Sequence, residues 1–178
     1  MLLPLEGHST QGERFALQAA VSLPTRKRLW RDIVHSKILA QSIILKEFWE
    51  IDRGLEQMAS RVLIKNAANV EAQAARRYWK SLFGDSNFRR DRDAQDQNRF
   101  LNYGYAVLRA IVVRAVCGAG LHPSLGLHHH NRYDAFRLAD DLVEPFRPSV
   151  DRVVVRYCQK CGADAPFDRE AKKNSSEL

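Results

Sequence analysis

Apolar residues recur every three to four positions along most of the chain, which is the spacing of one face of an α-helix. The predicted helices cover about residues 10–20, 24–49, 55–63, 69–84, 98–117 and 134–144. Residues 150–157 fit either a further helix or a strand, and Leu2 to Leu5 read as the remnant of a strand. The pattern therefore predicts an all-α fold in a single domain spanning residues 1–178.

Caps and breakers set the expected limits of these helices. Pro24 is tolerated in a first turn, where its missing N–H costs nothing. Asn69 is the expected cap of the fourth helix and Gly84 its end. We expect the apolar helix from Asn98 to Cys117 to be the central one, with Gly104 marking a close helix contact. The 24–49 helix is predicted to bury Leu29, Ile33, Val34, Ile38, Leu45 and Trp49, and to carry solvated cations that include Lys37 and Lys46.

Composition and charge limit the classes of function and partner to be considered. The 178 residues carry a formal net charge of +7, which favours a polyanionic partner, with nucleic acid ahead of a membrane. The longest apolar run, from Ala106 to Cys117, is interrupted by Arg109 and Arg114, so no membrane span or signal peptide is expected. Three cysteines argue against a disulfide framework. A cytoplasmic protein is therefore predicted.

Two segments lack apolar periodicity. Residues 85–97 are polar with mixed charge and predict a mobile loop that could contact DNA, and residues 163–178 predict a disordered tail. Cys158 and Cys161 have zinc-knuckle spacing, but no second pair completes the site, so zinc is not expected. Candidate DNA contacts, each equally compatible with a plain solvated charge, are Arg76, Arg77, Lys80, Arg89 and Arg90.

Residues 126–148 join a histidine cluster to an acidic helix, a pattern that indicates half of a metal site. Asp134, Arg137, Asp141 and Glu144 follow one another at spacings of three and four and would share one helical face. Carboxylates near the carboxyl end of a helix are disfavoured unless a cation lies close. An ordinary amphipathic helix after a polar loop explains the same pattern. Likewise, Glu71 could simply complement the dipole at the start of its helix.

Four blocks of sequence together resemble the CRISPR-associated spacer-acquisition integrase family, CRISPR-associated protein one, especially its type II branch. The blocks are residues 69–79, 98–109, 125–131 and 141–148. The resemblance implies an all-helical catalytic domain that binds Mg²⁺ or Mn²⁺ through Glu71, His129 and Glu144. It makes Asp141 and His128 auxiliary residues, with His130 a neighbour. Two carboxylates and an imidazole suit these ions better than they suit structural zinc.

The resemblance also implies a reaction and partners. The 3′-hydroxyl of a short foreign DNA would attack a phosphodiester at the border of a CRISPR repeat in a transesterification, and hydrolysis at the same site would make the protein an endonuclease. Expected partners are double-stranded DNA and CRISPR-associated protein two, with a homodimer in the full-length family through an amino-terminal β-rich domain. The alternative is a non-catalytic helical DNA-binding module or an inactive fragment of the integrase.

Overall fold

The computed structural model describes residues 10–85, 87–163 and 165–166, and in these residues the regular structure is entirely helical. This confirms the all-α class. The predicted strand at residues 2–5 and most of the predicted tail lie outside the described residues. The elements are α1 (Gln11–Ala19), α2 (Leu23–Trp49), α3 (Leu55–Ser60), α4 (Ala67–Leu82), α5 (Asn98–Gly118), α6 (Arg137–Val143), a 3₁₀ turn (Glu144–Phe146) and α7 (Arg147–Cys161).

Helix α2 is the axis of the fold. Its first turn is capped by the Ser22 hydroxyl, which accepts a hydrogen bond from the Thr25 N–H, and Pro24 occupies the position where no donor is needed. The helix packs against α3, α4, α6, α7 and the 3₁₀ turn. By contrast, α5 packs mainly against α6 and α7 and exposes Ile111. The prediction that α5 is the central helix is therefore wrong.

The buried face of α2 differs from the predicted one at two positions. Leu29 and Trp49 are 44% and 38% exposed, whereas the neighbouring Trp30 is buried. The burial of Val34, Ile38 and Leu45 is as predicted. Trp49 ends the helix, with its indole N–H donating to the Leu82 carbonyl at 3.1 Å.

Two apolar clusters form the core. One joins α2, α3 and α4, and the other joins α5 and α7 to the segment before α5. Gly104 is buried where α5 crosses α7, and a Cβ on it would lie 2.4 Å from Cγ1 of Val150. The predicted close helix contact is therefore confirmed, because any side chain at Gly104 would collide with α7.

Two predicted helix starts are wrong. Helix α4 begins at Ala67, so Asn69 lies inside it and does not cap it, and Glu71 falls beyond its first turn. Helix α6 begins at Arg137, and Asp134 precedes it in a turn. Both shifts bear on chemistry. Since Glu71 lies beyond the first turn of α4, interaction with the helix dipole does not account for its position. Asp134 lies outside α6 and does not share the helical face of Asp141 and Glu144.

The segment before α5 is tied to that helix by polar contacts. The Asn98 side chain accepts from the Asp91 N–H at 3.0 Å and donates to the Arg89 carbonyl at 2.9 Å, while Arg90 donates to Asn102. Phe88 is buried between the rings of Trp79 and Phe83. The mobility predicted for residues 85–97 stays a prediction, and these contacts fix where the described part of the segment lies.

Helix α5 is, among the described residues, the helix whose length and apolar composition would suffice to cross a membrane. Length and composition are weak evidence for a membrane span, since the core helix of a soluble protein can be equally long and apolar. Arg99, Arg109 and Arg114 all lie within this helix.

A buried carboxyl group links α4, α5 and α7. Asp151 is 1% exposed, accepts a hydrogen bond from the Tyr78 hydroxyl at 2.8 Å and a second from the Tyr105 hydroxyl. Burial raises the pKa of Asp151 from 3.8 to about 6, although the two tyrosines and the guanidinium groups of Arg147 and Arg90 oppose the rise. The carboxyl group is therefore neutral in the folded protein under mildly acidic conditions.

We expect Asp151→Asn to change how stability depends on pH. The pKa of Asp151 is higher in the folded protein than in the unfolded chain, so its protonation stabilises the fold. This stabilisation is present at low pH and is lost as the pH rises from about 4 through 6. Relative to the wild type, the asparagine variant should gain on the order of 2 kcal/mol in unfolding free energy between pH 4 and pH 7. Urea unfolding of both proteins at the two pH values measures this, and a difference independent of pH would contradict it.

Candidate functional site

Two glutamates from distant parts of the chain meet at one lysine. Lys37 Nζ, from the middle of α2, lies 2.6 Å from Oε1 of Glu71 on α4 and 2.6 Å from Oε2 of Glu144 in the 3₁₀ turn. The three side chains are 13%, 21% and 8% exposed. Burial alone would lower the pKa of Lys37, but the attraction of Glu144 and Glu71 outweighs it and raises the pKa. The ammonium group therefore stays charged between the two carboxylates.

Glu144 is paired with a second cation and lies where two helical segments join. Arg147 Nε lies 3.0 Å from Oε1 of Glu144, and the helix continues through Pro145 into α7. Glu144 thus sits at a helix junction, where the unfavourable dipole at a helix end is weaker than the sequence suggested. Its burial is compensated by the ion pairs to Lys37 and Arg147.

The histidine loop is organised by Asp141, which is fully buried. Its carboxylate accepts backbone N–H groups from Leu127 at 2.6 Å, His128 at 3.0 Å and His129 at 3.2 Å, and it contacts His129 Nδ1 at 2.6 Å. Burial would raise the pKa of Asp141, but these hydrogen bonds lower it. Gly126 is required here, because a Cβ would lie 2.8 Å from that of Arg137.

The three histidines have different surroundings. The hydrogen bond to Asp141 raises the pKa of His129 and occupies its Nδ1 atom, which leaves Nε2 as the ring nitrogen available to a ligand. His128 stacks on Trp30 with ring centroids 4.2 Å apart, and burial lowers its pKa. His129 and His130 are both exposed. The carboxylate–histidine pair of Asp141 and His129 is the arrangement that commonly orients a metal-ligating imidazole.

The donor chemistry fits Mg²⁺ or Mn²⁺. Glu71 and Glu144 provide hard oxygen donors that already surround one cationic group, and His129 has a ring nitrogen oriented by a carboxylate. Within the described part of the chain, no group of three histidine, cysteine or acidic side chains is spaced to hold an ion directly. The structure thus brings Glu71 and Glu144 together. His129 lies within electrostatic range of Glu144 without contacting it.

Four of the five predicted DNA contacts line one groove. The groove runs between α4 and the segment before α5 and is lined by Ala75, Arg76, Trp79, Lys80, Asn87, Phe88, Arg89 and Arg90. Arg77 is not among these residues. Its guanidinium donates to the Arg53 carbonyl at 3.3 Å and approaches Gly54. Basic side chains beside the partly exposed ring of Trp79 suit a nucleic-acid backbone and its bases.

A second hollow adjoins the groove at Arg90. Arg90 also lines this polar cleft, together with Arg92, Asn102, Tyr105, Ala106, Arg109, His129, Asn131, Asp134, Asp140, Val143 and Arg147. We call the basic side chains that line the two hollows the basic track. Cationic side chains of this kind attract the phosphodiester backbone of a nucleic acid.

Sequence reasoning missed Lys37 and the role of Arg109. Lys37 was grouped with the solvated cations of α2, yet it follows Val34 by three positions and so lies on the buried stripe, a signal that was available. Arg109 pairs with Asp140 and, at 3.0 Å, with Asp134, which fixes the turn after the histidines. Nothing in the sequence joins these residues, because the pairing depends on how α5 packs against α6.

Comparison with known proteins shows the family. Residues 5–175 match the sequence profile of the family described as CRISPR associated protein Cas1. The chain is 41% identical over 160 residues to the CRISPR-associated endonuclease Cas1 of Neisseria meningitidis serogroup C (strain 8013), covering 89% of this chain and 52% of that protein. It is 34% identical over 162 residues to CRISPR-associated endonuclease Cas1 2 of Saccharolobus solfataricus (strain ATCC 35092 / DSM 1617 / JCM 11322 / P2), covering 88% and 51%.

Solved structures share the fold. A casposase bound to integration product superposes with a TM-score of 0.79 at 20% sequence identity, covering 99% of this chain and 61% of that one. A Cas1 protein from Thermotoga maritima superposes with a TM-score of 0.75 at 18% sequence identity, covering 99% of this chain and 67% of that one. The chain spans about half the length of the curated relatives it matches. Assignment to the type II branch stays a prediction. The chain belongs to the CRISPR-associated Cas1 family.

Proposed function

We propose that this chain carries the metal-dependent DNA endonuclease and integrase activity of CRISPR adaptation. The observation that supports it most directly is the convergence of Glu71 and Glu144 on Lys37. Burying two carboxylates beside each other is costly for a purely structural element, and a helical core can be built without them. Functional sites are where such costs are commonly found.

Glu71, Glu144 and His129 would hold a Mg²⁺ or Mn²⁺ ion, with Asp141 orienting His129 and His128 beside it. When bound, the ion would supply charge neutralisation at a phosphodiester and activation of the attacking oxygen. The chain's own contribution is positional. Asp141 fixes the His129 ring through Nδ1, and Trp30 covers His128. Glu144 is held by its ion pair with Arg147, which lines the polar cleft.

DNA would reach this point along the basic track. Arg76, Lys80 and Arg89 would contact phosphates in the groove. Arg90, which lines both the groove and the polar cleft, would contact the strand where it enters the cleft beside His129. A 3′-hydroxyl of a short foreign DNA would then replace the leaving oxygen of a repeat-border phosphodiester. One P–O bond forms as another breaks, so no ATP is consumed. With water as the nucleophile the outcome is cleavage.

Partners follow from the family and the charge. The related casposase structure is of a complex with an integration product, and we extend DNA as a partner to this chain. We also propose CRISPR-associated protein two as a partner. The full-length protein would form a homodimer and would lie in the cytoplasm of a prokaryote.

A non-catalytic DNA-binding module is the second candidate, and the Lys37 ammonium favours it by neutralising both glutamates without an ion. Incubating the protein with branched DNA and Mn²⁺ separates the two. Strand joining that EDTA abolishes supports the integrase. Binding by a folded protein with neither joining nor cleavage supports the module.

DNA affinity is expected to be mostly electrostatic. Releasing counterions from neutralised phosphates makes the logarithm of affinity fall with the logarithm of salt concentration, and each lost contact should reduce that slope by about 1. Arg76→Ala and Arg89→Ala should each lower the slope in fluorescence anisotropy titrations from 50 to 200 mM salt. Arg77→Ala is the matched control, since its side chain does not line the groove. Affinity that is unchanged by salt would contradict the proposed surface.

A further inference from the structure

Lys37 differs from the other lysine of α2 that forms an ion pair. Lys46 pairs with Glu56 at the surface, where the two side chains are 46% and 51% exposed. Lys37 is 13% exposed and bridges two carboxylates that come from different elements. Solvent screens the Lys46 pair and leaves it little influence, whereas the Lys37 contacts lie in a poorly screened interior.

The two glutamates need a cation between them. Two like charges brought together out of water repel strongly, and one partner removed from a buried ion pair leaves an uncompensated charge. Arg147 contacts Glu144 but not Glu71, so it does not replace the bridge. Lys37 is therefore the group that allows α4 and the 3₁₀ turn to present both carboxylates at one point.

A divalent cation would use the same oxygens. Oε1 of Glu71 and Oε2 of Glu144 both lie 2.6 Å from Lys37 Nζ, which places the ammonium group where an ion shared by these carboxylates would bind. An ammonium group and a metal ion cannot both occupy that position, and their positive charges repel. Binding of the ion must then be accompanied by displacement of the lysine.

We propose that Lys37 is a built-in counter-ion that assembles the two glutamates and competes with the divalent cation for them, so that it sets the metal affinity of the site. The proposal rests on the proposed function, because it takes Glu71 and Glu144 to be metal ligands. It adds a regulatory element. The site stays assembled at low metal concentration and is loaded only when the ion outcompetes an internal ammonium group.

The test is direct metal binding by the whole chain. We expect Lys37→Met to bind Mn²⁺ about tenfold or more tightly than the wild type in isothermal titration calorimetry, because the competing charge is gone. The same variant should melt at a lower temperature without metal and gain more from added Mn²⁺. Lys46→Met removes a lysine from the same helix and should leave Mn²⁺ affinity unchanged.

Two further variants keep the test decisive. Lys37→Gln retains N–H donors without the charge and should also bind Mn²⁺ more tightly, whereas Lys37→Arg retains the charge and should bind no more tightly than the wild type. Equal or weaker Mn²⁺ binding by both neutral variants overturns the proposal, as does loss of their fold that Mn²⁺ does not reverse. If the wild type and every variant bind no Mn²⁺, the assignment of the glutamates as ligands fails instead.

Discussion

Replacing either Glu71 or Glu144 with glutamine is expected to reduce metal-dependent DNA joining by about 100-fold or more, the scale of losing one preorganised electrostatic group from an active site. Glutamine keeps the volume of the side chain but cannot supply the anionic oxygen that a hard divalent cation requires. The rate of strand joining on branched DNA at saturating Mn²⁺ measures the loss.

The structure provides a control for this experiment. Glu56→Gln removes an exposed carboxylate that pairs with Lys46 on α2, and it should leave joining and stability almost unchanged. Both active-site variants should keep their helical circular dichroism and salt-dependent DNA binding, since the basic groove is formed by other residues. Full joining activity in Glu71→Gln would show that the two carboxylates serve only to hold Lys37.

Helices were the predictable part of this fold, because their signals are local. The period of apolar residues predicted α4 and α5, and these helices bury Ala74, Tyr78, Leu101 and Tyr105. Gly104 predicted a close crossing, which Val150 provides. Residues 150–157, which lie in α7, were ambiguous between helix and strand, since valine-rich segments suit both. Packing against α5 and α2 stabilises the helical form.

The predictions that were wrong concern which residues and elements pack against each helix. Leu29 is exposed and Lys37 is largely withdrawn from solvent, although their hydrophobicity alone predicts the reverse. Their positions depend on where α4 and the 3₁₀ turn cross α2, which no local pattern specifies. The start of α6 was misplaced for a related reason. Asp134 was assigned to a helical face, yet its carboxylate pairs with Arg109 of α5 and accepts the Phe136 N–H.

The arrangement of the candidate site could not be predicted from the sequence, and the ligand roles of its residues stay predictions. Family resemblance selected Glu71, His129 and Glu144, and the structure brings the two glutamates to one point. It does not place His129 in the same contact, and it shows that Asp141 binds the loop backbone as well as the ring. The ammonium group between the glutamates was unforeseen because charge counting treats every lysine as solvated.

Among the three adjacent histidines, His129→Ala should lower DNA joining by about 100-fold, whereas His130→Ala should change it only a few-fold. His129 and His130 are both exposed, but His129 is the histidine whose Nδ1 is held by a buried carboxylate, which orients its ring as that of a ligand. The loop should survive the His129 substitution, because Asp141 still accepts three backbone N–H groups.

His128→Ala separates packing from chemistry in the same series. This ring covers Trp30 by stacking, so its removal should lower the melting temperature of the protein more than removal of the exposed His130. Its effect on joining should be smaller than that of His129→Ala once both variants are assayed well below their melting temperatures. An inactive, folded His128→Ala beside an active His129→Ala would move the ligand by one residue, and the hydrogen bonds around Asp141 would then serve only to shape the loop.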